Sequence, residues 1–269
     1  MISNIFSNFL EQTVLQQSNT VQAYEINQQK VWLKKASKRH STWIYLPLRW
    51  FSKLFGLSML APVPNYGGEK AIACEISRLQ HFKKLNINVP DILAFNENSV
   101  LLRDASANGK PVIQLEKALS KQKTLEDKLS LFQKSITALE DIHAKKSYLS
   151  EAFARNILVD SEHNFSFIDF ETDPGQYLSL NDCQTRDWLC FIFSTAHKFE
   201  ESELNKVACL LAKALDNNVK SFQDICRVGL KLKWILALKP EALGSDGIRM
   251  KKCIYLLKLL NDKEPLPMI

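Results

Sequence analysis

An amide at Asn156 and a carboxylate at Asp169 flank a short polar turn, and together they are the residue types here best suited to holding a hard cation. Ile157 to Asp160 and Phe165 to Ile168 read as the strands of a hairpin, with Ser161 to Asn164 as its turn. Pairing Asp160 with Phe165 brings Asn156 opposite Asp169 at the open end, where directly opposed side chains approach to about 5 Å. An amide oxygen and a carboxylate so placed suit Mg²⁺, which takes one or two carboxylates and completes its shell with phosphate oxygens and water. The same residue types also cap strand ends and satisfy turn amides. These two residues alone leave both roles open.

A second pair involves charges that need each other. The run from about Glu69 to Leu85 reads as a helix behind Gly67-Gly68 that stops before Pro90. Its helical spacing puts Ile72, Glu75, Ile76 and Leu79 on one face, so Glu75 lies on the apolar side. A buried carboxylate requires a cation. The strand Val31-Trp32-Leu33-Lys34 supplies Lys34, with Lys35 as the other choice, although both lysines also suit a solvated edge strand. Alternation puts Trp32 and Lys34 on the same face of that strand.

The chain around these residues has 269 positions, 46% hydrophobic and 24% charged, with a formal net charge of +6. The 8 glycines and 9 prolines are too few for collagenous, propeller-like or turn-dense all-β architectures. The mild positive excess suits anionic partners but is no nucleic-acid footprint, and no nucleic-acid partner is expected. The 6 cysteines form no C-x-x-C pair, which points to reduced thiols in a reducing, cytoplasmic setting. The 5 histidines lack ligand spacing, so no zinc site is expected. Met1 to Gln17 has no basic n-region, which argues against a secretory leader. Trp43 to Val63 is interrupted by Pro47, Arg49 and Lys53 and should not span a bilayer. Within it, Leu46 to Leu60 carries Leu48, Phe51, Leu54 and Phe55 at helical spacing beside Arg49, Lys53 and Trp50. That pattern fits either packing on a sheet or peripheral docking on an anionic membrane, for instance the inner membrane.

The pattern changes along the chain, from mixed strand and helix before about residue 105 to almost pure helix after about residue 175. This reads as an α+β protein of two lobes, residues 1–105 and 106–269. The first holds two hairpins, Val21 to Glu25 with Lys30 to Lys35 and Pro90 to Phe95 with Ser99 to Arg103, on either side of the glutamate helix. The second opens with Thr124 capping a long helix that ends near His143, and contains a helix around Arg186 to His197 that is apolar nearly all round.

Asn156-Ile157-Leu158-Val159-Asp160 followed by Phe167-Ile168-Asp169-Phe170-Glu171 resembles the catalytic-loop asparagine and D-F-G segment of the protein-kinase-like superfamily. It is most similar to bacterial lipopolysaccharide core sugar kinases and related small kinases, in which a charged residue can replace the glycine. The resemblance covers about Val21 to Trp188 and implies a bilobal kinase-like fold that binds ATP and Mg²⁺ and phosphorylates a hydroxyl acceptor such as a sugar. It assigns Lys34 to the α- and β-phosphates with Glu75 as its partner, and Asn156 and Asp169 to the metal. Asp187 of Arg186-Asp187-Trp188 would anchor the catalytic loop, and backbone groups near Leu102 to Ala105 would meet the adenine. The family pattern keeps a small residue where this chain has Trp32. No G-x-G-x-x-G is present. Counting back from Asn156 along H-R-D-L-x-x-x-N gives Leu149-Ser150-Glu151, so Glu151 stands where the family has its aspartate base. General-base help is worth ~10² to 10⁴ in rate, which leaves a slow catalyst and a pseudokinase scaffold as the two expectations.

Overall fold

The computed structural model describes residues 2–37, 58–61, 63–65, 67–106 and 110–263. Residues 46–57, most of the segment with a possible membrane-docking pattern, lie outside the described residues.

The protein is a mixed α+β structure that begins with a helix, α1 (Ile2–Val14), which the sequence reading did not anticipate. Strands β1 (Val21–Ile26) and β2 (Gln29–Lys35) follow as a hairpin, then α2 (Gly68–Lys84), then the hairpin β3 (Ile92–Asn96) and β4 (Ser99–Arg103). These four strands form one antiparallel sheet in the order β1-β2-β4-β3. Strand β2 is therefore interior, paired through Lys34 with Val21 on one side and Val100 on the other, which removes the solvated-edge reading of its lysines.

Alternation along β2 gives its two faces different partners. Val31 and Leu33 are buried with Leu101, Ala94 and Ile26 against Phe6 and Leu10 of α1. The opposite face carries Trp32 and Lys34 and meets α2, whose Ile72, Ile76, Leu79 and Phe82 are buried with Val100 and Leu102. Helix α2 starts from Gly67 and Gly68, both with left-handed φ (61° and 60°), a conformation that costs glycine little. Lys83 and Lys84 end it on the side favoured by the helix dipole.

After β4 come β5 (Ile113–Gln114), α3 (Leu115–Lys121) and α4 (Leu125–Ala144). Thr124 caps α4 as expected, its side chain accepting from the Asp127 amide. Strands β6 (Ile157–Val159) and β7 (Phe165–Phe167) join β5 in a second antiparallel sheet, ordered β5-β6-β7. Helices α5 (Leu180–Thr195), α6 (Leu204–Leu215), α7 (Val219–Leu232) and α8 (Ser245–Asn261) complete the described chain. Helix α5 starts at its Ser179 cap, earlier than the apolar run suggests, and buries Trp188, Phe191 and Ile192 at the centre. One hydrophobic core runs from α2 through α4 and α5 to α8.

The hairpin register differs by one residue from the expected one. Val159, not Asp160, pairs with Phe165, and Ile157 pairs with Phe167. Asn156 is thus opposite Ile168, whose amide donates to the Asn156 carbonyl at 3.0 Å. The cause is Asp160, whose carboxylate accepts from the amides of Glu162 and Asn164 and from the Asn164 side chain. The Asp160 amide also donates to the Asn164 carbonyl, so the turn tightens to Ser161-Glu162-His163, with His163 at φ 63°. Asp169 therefore falls one position beyond Asn156.

All 6 cysteines are free; Cys183, Cys226 and Cys253 are buried, whereas Cys209 is exposed. No helix among the described residues is long and apolar enough to cross a membrane.

Candidate functional site

The interior position of β2 and the apolar face of α2 bring Lys34 and Glu75 together inside the fold, Nζ to Oε2 at 2.7 Å. The Glu75 side chain is 2% exposed and that of Lys34 is 8%. Lys35 is not the partner; its ammonium contacts the carbonyl of Gln17, in the segment between α1 and β1. Two more carboxylates reach Lys34: Asp169 Oδ1 at 3.0 Å and Glu171 Oε1 at 2.9 Å. Burial works against the ammonium, but the three carboxylates outweigh it and raise the pKa of Lys34, so it remains a cation at neutral pH.

Asp169 reaches Lys34 from an unusual backbone position. Its φ is 73°, in the left-handed region that a non-glycine residue occupies only when its surroundings hold it there. Phe170 supplies that hold: it is buried, with its ring 4.7 Å from that of Phe82 on α2. Glu171 then turns back toward Lys34, and its other oxygen accepts from Asn65 Nδ2 at 3.0 Å.

Asn156 is buried, and its side-chain nitrogen donates to the Glu151 carbonyl at 3.2 Å. That bond fixes the amide and leaves its oxygen as the end available to a cation. Asp169, the other residue expected to hold Mg²⁺, has its carboxylate on Lys34 and is not opposite Asn156 in the hairpin. No group of three or more His, Cys, Asp or Glu among the described residues is placed to hold a metal.

The loop carrying Glu151 is fastened to α5. Asp187, fully buried, accepts from the Leu149 amide at 2.6 Å and from His143 Nε2 at 3.1 Å. Gln184 donates to the carbonyls of His143 and Ser147, and the Ala154 amide donates to Ser194 Oγ. Ser150 sits at φ 80° between these anchors. Burial raises the pKa of Glu151; Arg186 pulls it back, and the field of Asp169 pushes it up further.

Trp32 lies on the Lys34 face of β2, and its indole N–H donates to Asp104 Oδ2 at 2.7 Å, just past β4. Lys30 pairs with the same carboxylate at 3.0 Å. Burial opposes the charged form of Asp104, but hydrogen bonds from Ser106, Trp32 and Lys30 outweigh it and lower the pKa to about 2.

The sequence reading did not single out Glu171, Asn65 or a buried link between α2 and the segment after Asp169. In that link the Arg78 guanidinium lies over the rings of Phe82 and Tyr148, and the Tyr148 hydroxyl donates to Asp173 at 2.5 Å. No local signal in the sequence marks Glu171, because it reaches Lys34 through the left-handed turn at Asp169. The sequence matches no family model and no curated protein.

Proposed function

We propose that this protein is an atypical phosphotransferase of the protein-kinase-like superfamily, binding ATP with Mg²⁺ and transferring the γ-phosphoryl group to a hydroxyl on a small acceptor, a lipopolysaccharide-type sugar among the candidates. The observation that carries the reading is the ion cluster itself. Lys34 from a central strand lies 2.7 Å from Glu75 on the facing helix and 3.0 Å from Asp169 beyond the hairpin. In this reading the four-stranded sheet with α2 is the small lobe, residues 106–269 form the large one, and the protein works in the cytoplasm, at the periphery of the inner membrane if residues 46–57 dock there.

Phosphoryl transfer through a loose transition state asks a protein mainly for positioning and charge stabilisation. Lys34, held by Glu75, would bind the α- and β-phosphates. Asn156 and Asp169 would hold Mg²⁺, which when bound neutralises phosphate charge. Glu151 would orient the acceptor hydroxyl and take its proton as the new P–O bond forms and the γ-phosphoryl bond to ADP breaks. Burial raises the pKa of Glu151, which suits a proton acceptor. Asp187 keeps that loop in place through the Leu149 amide.

A second reading, a pseudokinase scaffold that binds nucleotide without turning it over, is favoured by Leu149-Ser150-Glu151 where the family has its histidine and aspartate. Isotope-traced ATP turnover of the wild type and Glu151→Asp separates the two. The enzyme reading expects slow turnover that rises up to about a hundredfold in the aspartate variant, as a shift of about 1 Å in a reacting group allows. No turnover in either protein, with Mg·ATP still bound, would support the scaffold.

A further inference from the structure

An ammonium has three N–H donors, and Lys34 presents carboxylate oxygens to its nitrogen at 2.7, 2.9 and 3.0 Å, from Glu75, Glu171 and Asp169. Only the Asp169 contact is a hydrogen bond, but all three oxygens lie against the nitrogen, so a phosphate oxygen must displace one of them to reach it. One positive charge faced by three negative ones also repels a free anion. For Lys34 to hold phosphate, a carboxylate must leave, and the three differ in their freedom to do so. Glu75 is 2% exposed on the inner face of α2 and has nowhere to go. The Asp169 side chain is 42% exposed and is the one a divalent cation would draw off. Glu171, at 22%, lines a cleft of about 480 Å³ with Thr172, Asp173, Gln176 and Tyr177, which gives its carboxylate room to swing.

The position of Glu171 is built into the fold. Asn65 Nδ2 holds its second oxygen, and Asn65 Oδ1 accepts from the amide of Gly67, the residue ahead of α2. Resting on the nucleotide-binding reading above, we infer that Glu171 is a specificity-determining residue: its carboxylate occupies the place beside Lys34 Nζ that a phosphate oxygen would take, so that metal-free polyphosphates are refused and metal-complexed ones admitted.

Inorganic tripolyphosphate tests this without nucleoside or acceptor. Titration calorimetry is run on the full chain, in EDTA and in Mg²⁺, for the wild type, Glu171→Gln and Asn65→Ala. In EDTA, Glu171→Gln should bind at least about tenfold more tightly than the wild type, since it removes one of the negative charges that face the incoming anion. Asn65→Ala, which loosens Glu171 without removing its charge and also gives up the Gly67 contact, should gain less. In Mg²⁺ the three proteins should converge. A merely structural role for Glu171 would move the melting temperature but not the metal dependence. Equal metal-free affinity in wild type and Glu171→Gln, weaker binding by the variant in Mg²⁺, or no binding to any of the three would overturn the inference. Absent ATP turnover alongside a tightened Glu171→Gln would instead sink the kinase reading and leave this one standing.

Discussion

Removing one member of a buried ion cluster costs more than the cluster contributes, because the remaining charges lose their partner. Lys34→Met would strand Glu75, which is 2% exposed, and should destabilise the fold by about 3–5 kcal/mol in urea unfolding. Adding Glu75→Leu should recover most of that loss. Lys35→Met gives up a single contact with a carbonyl and should cost about 1 kcal/mol. Equal losses for the two lysines would contradict the assignment of Lys34 as the interior cation. At this scale the sequence was informative where periodicity applied: helical spacing put Glu75 on the buried face, and strand alternation put Trp32 and Lys34 together. It could not choose between Lys34 and Lys35, because that depends on β2 being interior and on Gln17, in the segment after α1, receiving Lys35. The third carboxylate was also hidden, since Glu171 reaches Lys34 only after the left-handed turn at Asp169.

The hairpins, the glutamate helix and the Thr124-capped helix follow from turn residues, caps and apolar spacing, and all are present close to their expected bounds. The register of β6 and β7 was misjudged because Asp160 reads as a strand residue by position yet acts as a turn residue, spending its carboxylate on the amides of Glu162 and Asn164. Helix α1 was legible by the same spacing, with Phe6, Phe9 and Leu10 on one side, and Phe6 and Leu10 cover the sheet face opposite α2. The join between β2 and the end of β4 gives a prediction with a definite sign. Asp104 has its folded pKa lowered from 3.8 to about 2, so its hydrogen bonds to Trp32, Lys30 and Ser106 contribute stability in full above pH 4, and that contribution is lost as pH falls toward 2. Thermal melts of the wild type and Asp104→Asn should differ at pH 7 and converge between about pH 4 and 2. A gap that stayed constant down to pH 2 would show that the charge of Asp104 contributes nothing there.

Across the whole molecule, one core joins α2 to the helices beyond residue 115, and Asn88 adds polar ties to β7 through the Phe167 amide, the Phe165 carbonyl and Ser166 Oγ. Lys34 and Glu75 from one half of the chain and Asp169 and Glu171 from the other thus meet above a shared core. The α+β class was legible from the change in pattern along the sequence. That these distant charges converge on a single nitrogen was not, because no local rule specifies contacts between residues more than a hundred positions apart. The most direct test is calorimetric titration of ATP into the wild type and Asp169→Asn, each with and without Mg²⁺. The account predicts that the wild type binds ATP only with Mg²⁺ and that Asp169→Asn loses this metal-dependent binding. Metal-independent binding by the wild type, metal-dependent binding that the variant keeps, or no binding by the wild type would contradict it.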